Sequence, residues 1–471
     1  MNSTTAVDET GNASPGAAQV IQIDQVAAPC LVADIDVADD IPDALGGPGS
    51  GAARSAWILV RMHTEPLGIV VMTMPPNGLE RSQLILGITA VLGPELRDRA
   101  ATVGGSWPPV DARGALASTR PSPFLSSRRA ILARAPEVTA VVCTRERSAA
   151  LHNCIDSLIH QDYPRFSILV VDNAPVTEQT RDVVAGFHSS RIRIEYVVEP
   201  RVGVTFARNR ALQVANTEIT AWIDDDEIAD PFWLAELARG FDAHPEASAV
   251  GGMMVPAELK TTAQVRWEQY GGHHKHRGFQ PATFSGSSSP TQSPLFPLPP
   301  FGAGGNMAFK RDPLRAIGDF DPALGTGTLS MAGEDTLAFS ELLLMGGTVV
   351  YQPSAITHHF HRGSHAELRR QMFGYGVGLT AFYTSLLLTR PTVIGGLAKL
   401  GPTFLKEAFG PASMRSGHLP RDFPTDLRWA NRRGLAAGPV RYLAARMVAR
   451  RRGRQRVRPA IAERLSRATK Q

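Results

Sequence analysis

Cysteine is scarce in this 471-residue chain: Cys30, Cys143 and Cys154 are its only thiols. They are too few and too scattered for a disulfide framework, and none falls in a CxxC pair, so a reducing compartment is the expectation. Lysine and arginine are missing from the first fifty positions, which carry eight acids from Asp8 to Asp43. A leader without a basic region ahead of an apolar one does not read as a secretory signal, and any active site is expected to face the cytoplasm. Long apolar runs are missing too. Met372 to Thr389 is uncharged but interrupted by Gly, Tyr, Thr and Ser and closed by Arg390-Pro391, short of the about 20 apolar residues that a membrane span needs. It reads either as an interfacial helix or as an amphipathic helix packed on the domain before it.

What is present is globular. Hydrophobic residues make up 43% and charged residues 20%, with 43 Gly and 35 Pro, which excludes a fibrous or wholly disordered chain and implies many loops. The length allows two or three domains. Net charge is only +5, but its distribution is uneven: Met414 to Gln471 holds sixteen Lys+Arg against three acids, including the run Arg450, Arg451, Arg452, Arg454, Arg456, Arg458. Such a block attracts phosphates. Few aromatics stand there to stack bases and no nucleic-acid module is recognisable, so an anionic membrane surface is favoured over nucleic acid, with a solvated tail as the other reading.

Residues 1–50 end in a Gly/Pro/Ser linker and read as a disordered acidic leader. Residues 51–110 read as a small ββα module: Trp57 to Val60 and Ile69 to Met72 around a turn, then a helix from Leu79 to Leu92 stopped by Gly93-Pro94. A Pro/Ser/Arg-rich linker occupies 111–135. From Val138 onward, β-rich runs alternate with helical stretches: strands at 138–142, 167–171, 192–198 and 218–223, helices near 151–159, 177–187 and 204–215. This is the pattern of a parallel sheet covered by helices, an α/β fold. Such sheets bind ligands at the carboxyl ends of their strands. Three of those ends are polar: Cys143-Thr144-Arg145-Glu146-Arg147, Asp172-Asn173, and Asp224-Asp225-Asp226-Glu227.

Four consecutive acids repel one another unless neutralised. A hard cation, Mn²⁺ or Mg²⁺, is the simplest remedy, and carboxylates not spent on the ion remain free to bind hydroxyls. The other reading is an acidic turn capping a helix near Pro231. His273-His274-Lys275-His276-Arg277 fits no standard zinc spacing and reads as a basic loop. Ser285 to Pro300 reads as a mobile loop able to close over a bound ligand.

The order of these features resembles glycosyltransferase family 2, inverting transferases with the GT-A nucleotide-sugar fold. Val138 to Arg147 is similar to the opening strand and nucleotide loop. Asp172 stands where the next nucleotide contact falls, although Asn173-Ala174-Pro175 replaces the usual second acid and Gly-Ser. Gly203 with Ala207-Arg208-Asn209 resembles the Gly-x-x-x-Ala-Arg-Asn helix start, and Asp224-Asp225-Asp226 the DxD motif. Further on, Gly302 to Phe309 resembles the Gly-Asn-Met segment, Ile317 to Asp321 the Gly-x-Phe-Asp turn, Gly333-Glu334-Asp335 the catalytic acidic pair, and Tyr351-Gln352-Pro353 with His359 the closing Pro-to-His segment. Eight segments in order are hard to produce by chance.

The resemblance implies a catalytic domain over 136–370, with a GT-A-type, mainly parallel sheet, followed by a helical, basic region over 371–471. It implies a metal-dependent transferase using a UDP-, GDP- or dTDP-linked sugar and an acceptor hydroxyl, in lipid-linked or cell-envelope glycan synthesis; the basic tail adds to the cytoplasmic expectation a peripheral position on the inner face of the cell membrane. Asp335 is then the base, with Glu334 beside it orienting the acceptor or perturbing that base. Thr144, Glu146, Asp172, Arg208, Asp224, Asp225, Gly305 and Asn306 contact the donor, and Asp226, Asp224 and His359 hold Mn²⁺ or Mg²⁺. His358 and His361 compete with His359 for that role, and Arg145 and Arg147 have a solvated alternative. Glu334 and Asp335 also read as an ordinary acidic pair at a helix start. Two competing functions remain: a sugar-phosphate nucleotidyltransferase, whose Gly-rich N-terminal signature is absent, and a non-catalytic nucleotide-sugar-binding module with the ββα region as its recognition element.

Overall fold

The computed structural model describes residues 18–47, 53–109, 116, 118–274, 277–286, 293–296, 301–410 and 419–454. The chain divides into two units, Met1–Ser122 and Pro123–Gln471.

The first unit contains β1 (Cys30–Asp36), β2 (Ala44–Leu45), β3 (Ser55–Met62), β4 (Glu65–Thr73), β5 (Leu79–Glu80) and α1 (Arg81–Thr102). The expected hairpin is β3–β4, turning at His63-Thr64, both at positive φ. The acidic leader departs from expectation. Its second half is β1, paired in parallel with β3 from Cys30 opposite Ser55 to Asp36 opposite Arg61. Ile35, Val37 and Ile41 join Ile58, Val60, Leu84 and Ile88 in one core. The acids averaged over fifty residues conceal this strand, because they alternate with apolar residues and find partners: Asp34 pairs with Arg61, and Asp36 accepts the backbone N–H groups of His63 and Thr64. The helix also outruns its expected stop. Pro94 sits inside α1, and the apolar stripe of Leu84 and Ile88 continues on the far side with Leu96 and Ala100, all buried. Burial of that stripe outweighs the local cost of proline.

The second unit begins inside the expected linker. Pro123–Arg134 is a helix, α2, with proline at its first position, where the missing N–H costs nothing. Arg128 of α2 donates to Glu236 at 2.7 Å, both nearly inaccessible, and Ile131 enters the core. Then follow β6 (Val138–Thr144), α3 (Ser148–Ile159), β7 (Phe166–Asn173), α4 (Gln179–Gly186), β8 (Ile194–Glu199), α5 (Val204–Val214), β9 (Ile219–Asp224), β10 (Glu227–Ala229), α6 (Trp233–Ala243), β11 (Ala247–Pro256), α7 (Thr262–Gln269), β12 (Ala282–Ser285), β13 (Asn306–Lys310), α8 (Arg311–Ile317), α9 (Glu334–Leu344), β14 (Thr348–His359), α10 (His365–Thr389), α11 (Ile394–Phe409) and α12 (Thr425–Arg454).

Strands β6 to β14 form one sheet in the order β10-β14-β11-β13-β9-β6-β7-β8, with β12 on the outside of β14. Its β9-β6-β7-β8 half is wholly parallel, while β10, β12 and β13 run against the rest. The fold is therefore α/β with a mainly parallel sheet. Val138 to Val142 and Ile168 to Val171 are continuous apolar runs because helices cover both faces.

The C-terminal helices close the unit. α10 is, among the described residues, the helix long and apolar enough to cross a membrane by length and composition, but half of its apolar window is buried inside the protein. It packs on α12 almost backbone to backbone. A Cβ on Gly376 would lie 2.1 Å from the Asn431 carbonyl oxygen, and one on Gly434 2.2 Å from that of Phe373. The packed-helix alternative thus describes Met372 to Thr389. The loop from Ser285 to Pro300 falls partly outside the described residues, at 287–292 and 297–300. Its described centre is anchored: Leu295 and Phe296 are buried, and Tyr383 Oη donates to the Leu295 carbonyl at 2.8 Å. The basic run beyond Arg454 also lies outside the described residues.

Candidate active site

Three parallel strands end on one side of the sheet and deliver Thr144, Asn173 and Asp224. These residues open on a cavity of about 930 Å³. Glu334 and Asp335, at the start of α9, line the same cavity, as do Gly305 before β13, His359 at the end of β14, and Tyr375 of α10. Two acidic clusters about a hundred residues apart in the chain therefore face one space.

Arginines crowd the first cluster. Arg147 donates to Asp225 at 2.5 Å and to Asp226 at 2.9 Å, and Arg362 lies 3.3 Å from Asp226. Thr144 Oγ1 donates to Asp225 at 2.7 Å. Arg208, almost completely buried, lies 3.7 Å from Asp224, donates to Glu334 at 3.1 Å and reaches the Gly304 carbonyl at 3.0 Å. It joins the two clusters. The expected mutual repulsion is thus relieved largely by three guanidinium groups, and Arg147 is engaged rather than solvated. Glu227, the fourth acid, turns inward against Gly305, where a Cβ would stand 1.9 Å from its Oε1. Burial, with Asp224 nearby, pushes its carboxyl well up.

Burial also raises Asp225 to about 7 against the pull of Arg147. At Asp226 burial acts in the same sense, but the cationic surroundings, with Arg147 and Arg362 among them, outweigh it and hold the carboxyl below its usual range. Burial drives His359 down to about 3, leaving a neutral imidazole whose Nε2 lies 3.7 Å from Asp226 Oδ1. Asp224 stays open to the cavity, with 44% of its side chain exposed. Two carboxylates and a neutral imidazole are donor types that suit Mn²⁺, while among the described residues the metal-ligating atoms gathered within 4.8 Å of one another are those of His273, His359 and His361.

The second cluster divides its labour. Glu334 is tied to Arg208, and burial lifts it to about 7. Asp335 Oδ1 accepts from the backbone N–H of Thr336 at 2.7 Å, and a Cβ placed on Gly304 would lie 3.2 Å from Oδ2, which points toward that glycine.

Three expected donor contacts do not line the cavity. Glu146 accepts from the N–H groups of Val176 and Thr177 and from the Thr177 hydroxyl, so its carboxylate ties down the loop after β7. Asp172 is fully buried and accepts from Tyr196 Oη at 2.7 Å; Asn173 takes the cavity position instead. Asn306 donates to the Met253 and Ala355 carbonyls and accepts from Trp233 Nε1, a knot behind the site rather than a face of it. In each case the polar group is turned to partners within the protein and away from the cavity. The basic-loop reading also fails at its described ends. His273 is buried against His359, and Arg277 donates to the carbonyls of His273 and Gly302 while lining the cavity. Trp267 and Tyr375, stacked at 5.4 Å, form an apolar wall that no motif announced.

The family profile of glycosyl transferase family 2 matches residues 139–318. This segment is of the glycosyltransferase family 2 type. It contains Thr144, Arg208 and the Asp224–Asp226 run, whereas Glu334, Asp335 and His359 lie beyond it. The glycosyltransferase segment has relatives among named proteins. The chain is 24% identical over 191 residues to a glucosyl-dolichyl phosphate glucuronosyltransferase of Haloferax volcanii, covering 40% of this chain and 57% of that one. It is 28% identical over 243 residues to the succinoglycan biosynthesis protein ExoM of Rhizobium meliloti, covering 50% and 71%. Among solved structures it is similar to the mannosyltransferase PcManGT from Pyrobaculum calidifontis in complex with GDP-Man and Mn²⁺, at 20% identity and a TM-score of 0.40, over 73% of this chain and 88% of that one.

Proposed function

We propose that this chain is an inverting hexosyltransferase that moves a sugar from a nucleotide-sugar donor to an acceptor hydroxyl, with a divalent cation as cofactor. The observation that carries the reading is the single cavity onto which both Asp226 and Asp335 open, with Arg208 between the two clusters. The donor fits with its nucleotide at the ends of β6, β7 and β9 and its diphosphate among Arg147, Arg208 and Arg362. Asp224, Asp226 and His359 would hold the cation, which supplies Lewis-acid neutralisation of the departing diphosphate. Asp335 removes the proton from the acceptor hydroxyl as that oxygen attacks the anomeric carbon; the new C–O bond forms on the face opposite the breaking bond to the diphosphate, which inverts the centre. Glu334, held by Arg208, positions that guanidinium rather than taking the proton.

The aromatic wall of Trp267 and Tyr375 suits the apolar face of a sugar ring or a lipid-linked acceptor. The relatives support that class, one being named for a dolichyl-phosphate-linked sugar and the other for succinoglycan synthesis. A position on the cytoplasmic face of an anionic membrane is favoured by α12, where exposed Trp429, Val440 and Met447 stand among Arg432, Arg441 and Arg450.

The test is transfer from a panel of nucleotide sugars, preselected by the rise in thermal stability each gives with and without Mn²⁺. Asp335→Asn is expected to lower turnover about 10²- to 10⁴-fold, the contribution of a positioned general base. Full activity in both Asp335→Asn and Asp226→Ala would remove the assignment.

A further inference from the structure

We propose that Glu268, His361 and His359 form a relay that fixes the tautomer of His359 and presents its bare Nε2 to the cation beside Asp226, an inference that rests on the metal-dependent reading above. The relay is built from groups deep in the protein. His361 Nε2 lies 2.8 Å from Glu268 Oε1, and both side chains are 1% exposed. A carboxylate can only accept, so His361 donates at Nε2, and a ring that holds that one proton carries a lone pair at Nδ1.

That lone pair faces Nδ1 of His359 at 2.9 Å. Two lone pairs at this distance repel, whereas a proton between them makes a good hydrogen bond. Since His361 Nδ1 is already the acceptor, the proton belongs to His359 Nδ1. A neutral imidazole holds one ring proton, so Nε2 of His359 is left with its lone pair, and Nε2 is the atom that stands 3.7 Å from Asp226 Oδ1. A carboxylate on α7 thereby decides which nitrogen of a β14 histidine is free for a metal. His273 lies against the His359 ring at 4.4 Å and helps to hold its plane. Glu268 and His361 are positioning residues: neither lies at the anomeric carbon or at the acceptor oxygen.

The geometry has two rivals. A doubly protonated His361 donates to Glu268 and to His359 alike and leaves the His359 proton on Nε2. Ring nitrogens of His273, His359 and His361 lie within 4.8 Å of one another, the spacing of a three-histidine cation cage. A cage that uses the facing Nδ1 atoms of His359 and His361 needs both of them bare, and it turns the N–H edge of His359 toward Asp226. Both rivals require the tautomer of His359 opposite to that of the relay.

The deciding experiment is ¹⁵N-histidine NMR of the full chain near neutral pH without added metal, with His359 identified by its loss in His359→Gln. Protonation at Nδ1 is expected, and protonation at Nε2 overturns the relay. Alongside it, Mn²⁺ affinity is measured by electron paramagnetic resonance for wild type, Asp226→Asn, His361→Phe and His361→Asn, each checked for an unchanged melting temperature without metal. Phe cannot accept from His359 Nδ1, and affinity is expected to fall about 10- to 100-fold. The amide oxygen of Asn can accept, and most of the affinity is expected to return. Equal affinity in wild type and His361→Phe, with binding lost in Asp226→Asn, overturns the relay and leaves the metal reading standing. Mn²⁺ binding indifferent to Asp226→Asn removes the metal reading, and the tautomer still decides the relay. Binding that survives Asp226→Asn but disappears in His273→Ala establishes the cage and overturns the relay.

Discussion

Arg208 is the residue through which the two acidic clusters sense each other. Its guanidinium is 3% exposed and meets Glu334, Asp224 and a backbone carbonyl. Removing one partner of a buried ion pair strands the other, at a cost of about 3–5 kcal/mol. Arg208→Met is therefore expected to lower unfolding free energy by about that amount in urea titration, and a loss below 1 kcal/mol would show the carboxylates to be satisfied without it. Asp172 makes a second prediction. Burial raises its carboxyl from 3.8 to about 6, so between those values the folded protein binds more protons than the unfolded one, and stability falls as pH rises through that window. Asp172→Asn, which keeps an acceptor for Tyr196, is expected to melt higher than wild type near pH 8 and to lose most of that advantage near pH 4. Consecutive acids such as Asp224 to Asp226 were legible because the polypeptide itself brings them together. Arg277, Arg362, Trp267 and Tyr375 reach the site from separate segments, and no spacing reveals them. Glu146, Asp172 and Asn306 stood in the right segments, but their side chains turn to partners within the protein and away from the cavity, which a linear pattern does not record.

Among the elements, those whose hydrophobic period is unbroken were readable: β6, β7 and β9 lie within a residue or two of their expected ends. Those whose period is masked by composition were not. β1 hides its apolar face between acids, α2 looks like a linker because of its Pro, Ser and Arg, and α1 continues past a proline because Leu96 and Ala100 still have a core to enter. The α10–α12 pair gives a prediction at this scale. Gly434→Val would drive a side chain into the Phe373 carbonyl, and overpacking of this kind costs about 1–3 kcal/mol. The variant is expected to melt several degrees lower and, because α10 lines the cavity, to show a raised KM for the acceptor. An unchanged melting curve would mean that the two helices can separate.

For the molecule as a whole, the division at residue 122 is informative. Each unit has its own core, with Trp107, Ile58 and Leu84 in one and Trp233, Leu151 and Val170 in the other, and every cavity residue belongs to the second. Residues 123–471 expressed alone are expected to unfold cooperatively and to bind nucleotide sugar as tightly as the full chain; a melted, aggregating product would show that the first unit supports the second. Deleting residues 450–471 is expected to weaken co-sedimentation with anionic vesicles at low salt, and equal sedimentation would exclude the basic tail as a membrane contact. The glycine seam between α10 and α12 gives one side of the cavity a fixed backbone. Backbones in direct contact have no side chains left to compress, so the wall they form behaves as a fixed ruler, and its graduations are Gln371, Tyr375, Leu379 and Phe382, spaced four, four and three positions apart along the cavity side of one helix. Reshaping this side of the cavity therefore falls to those four side chains and not to a shift of the helices.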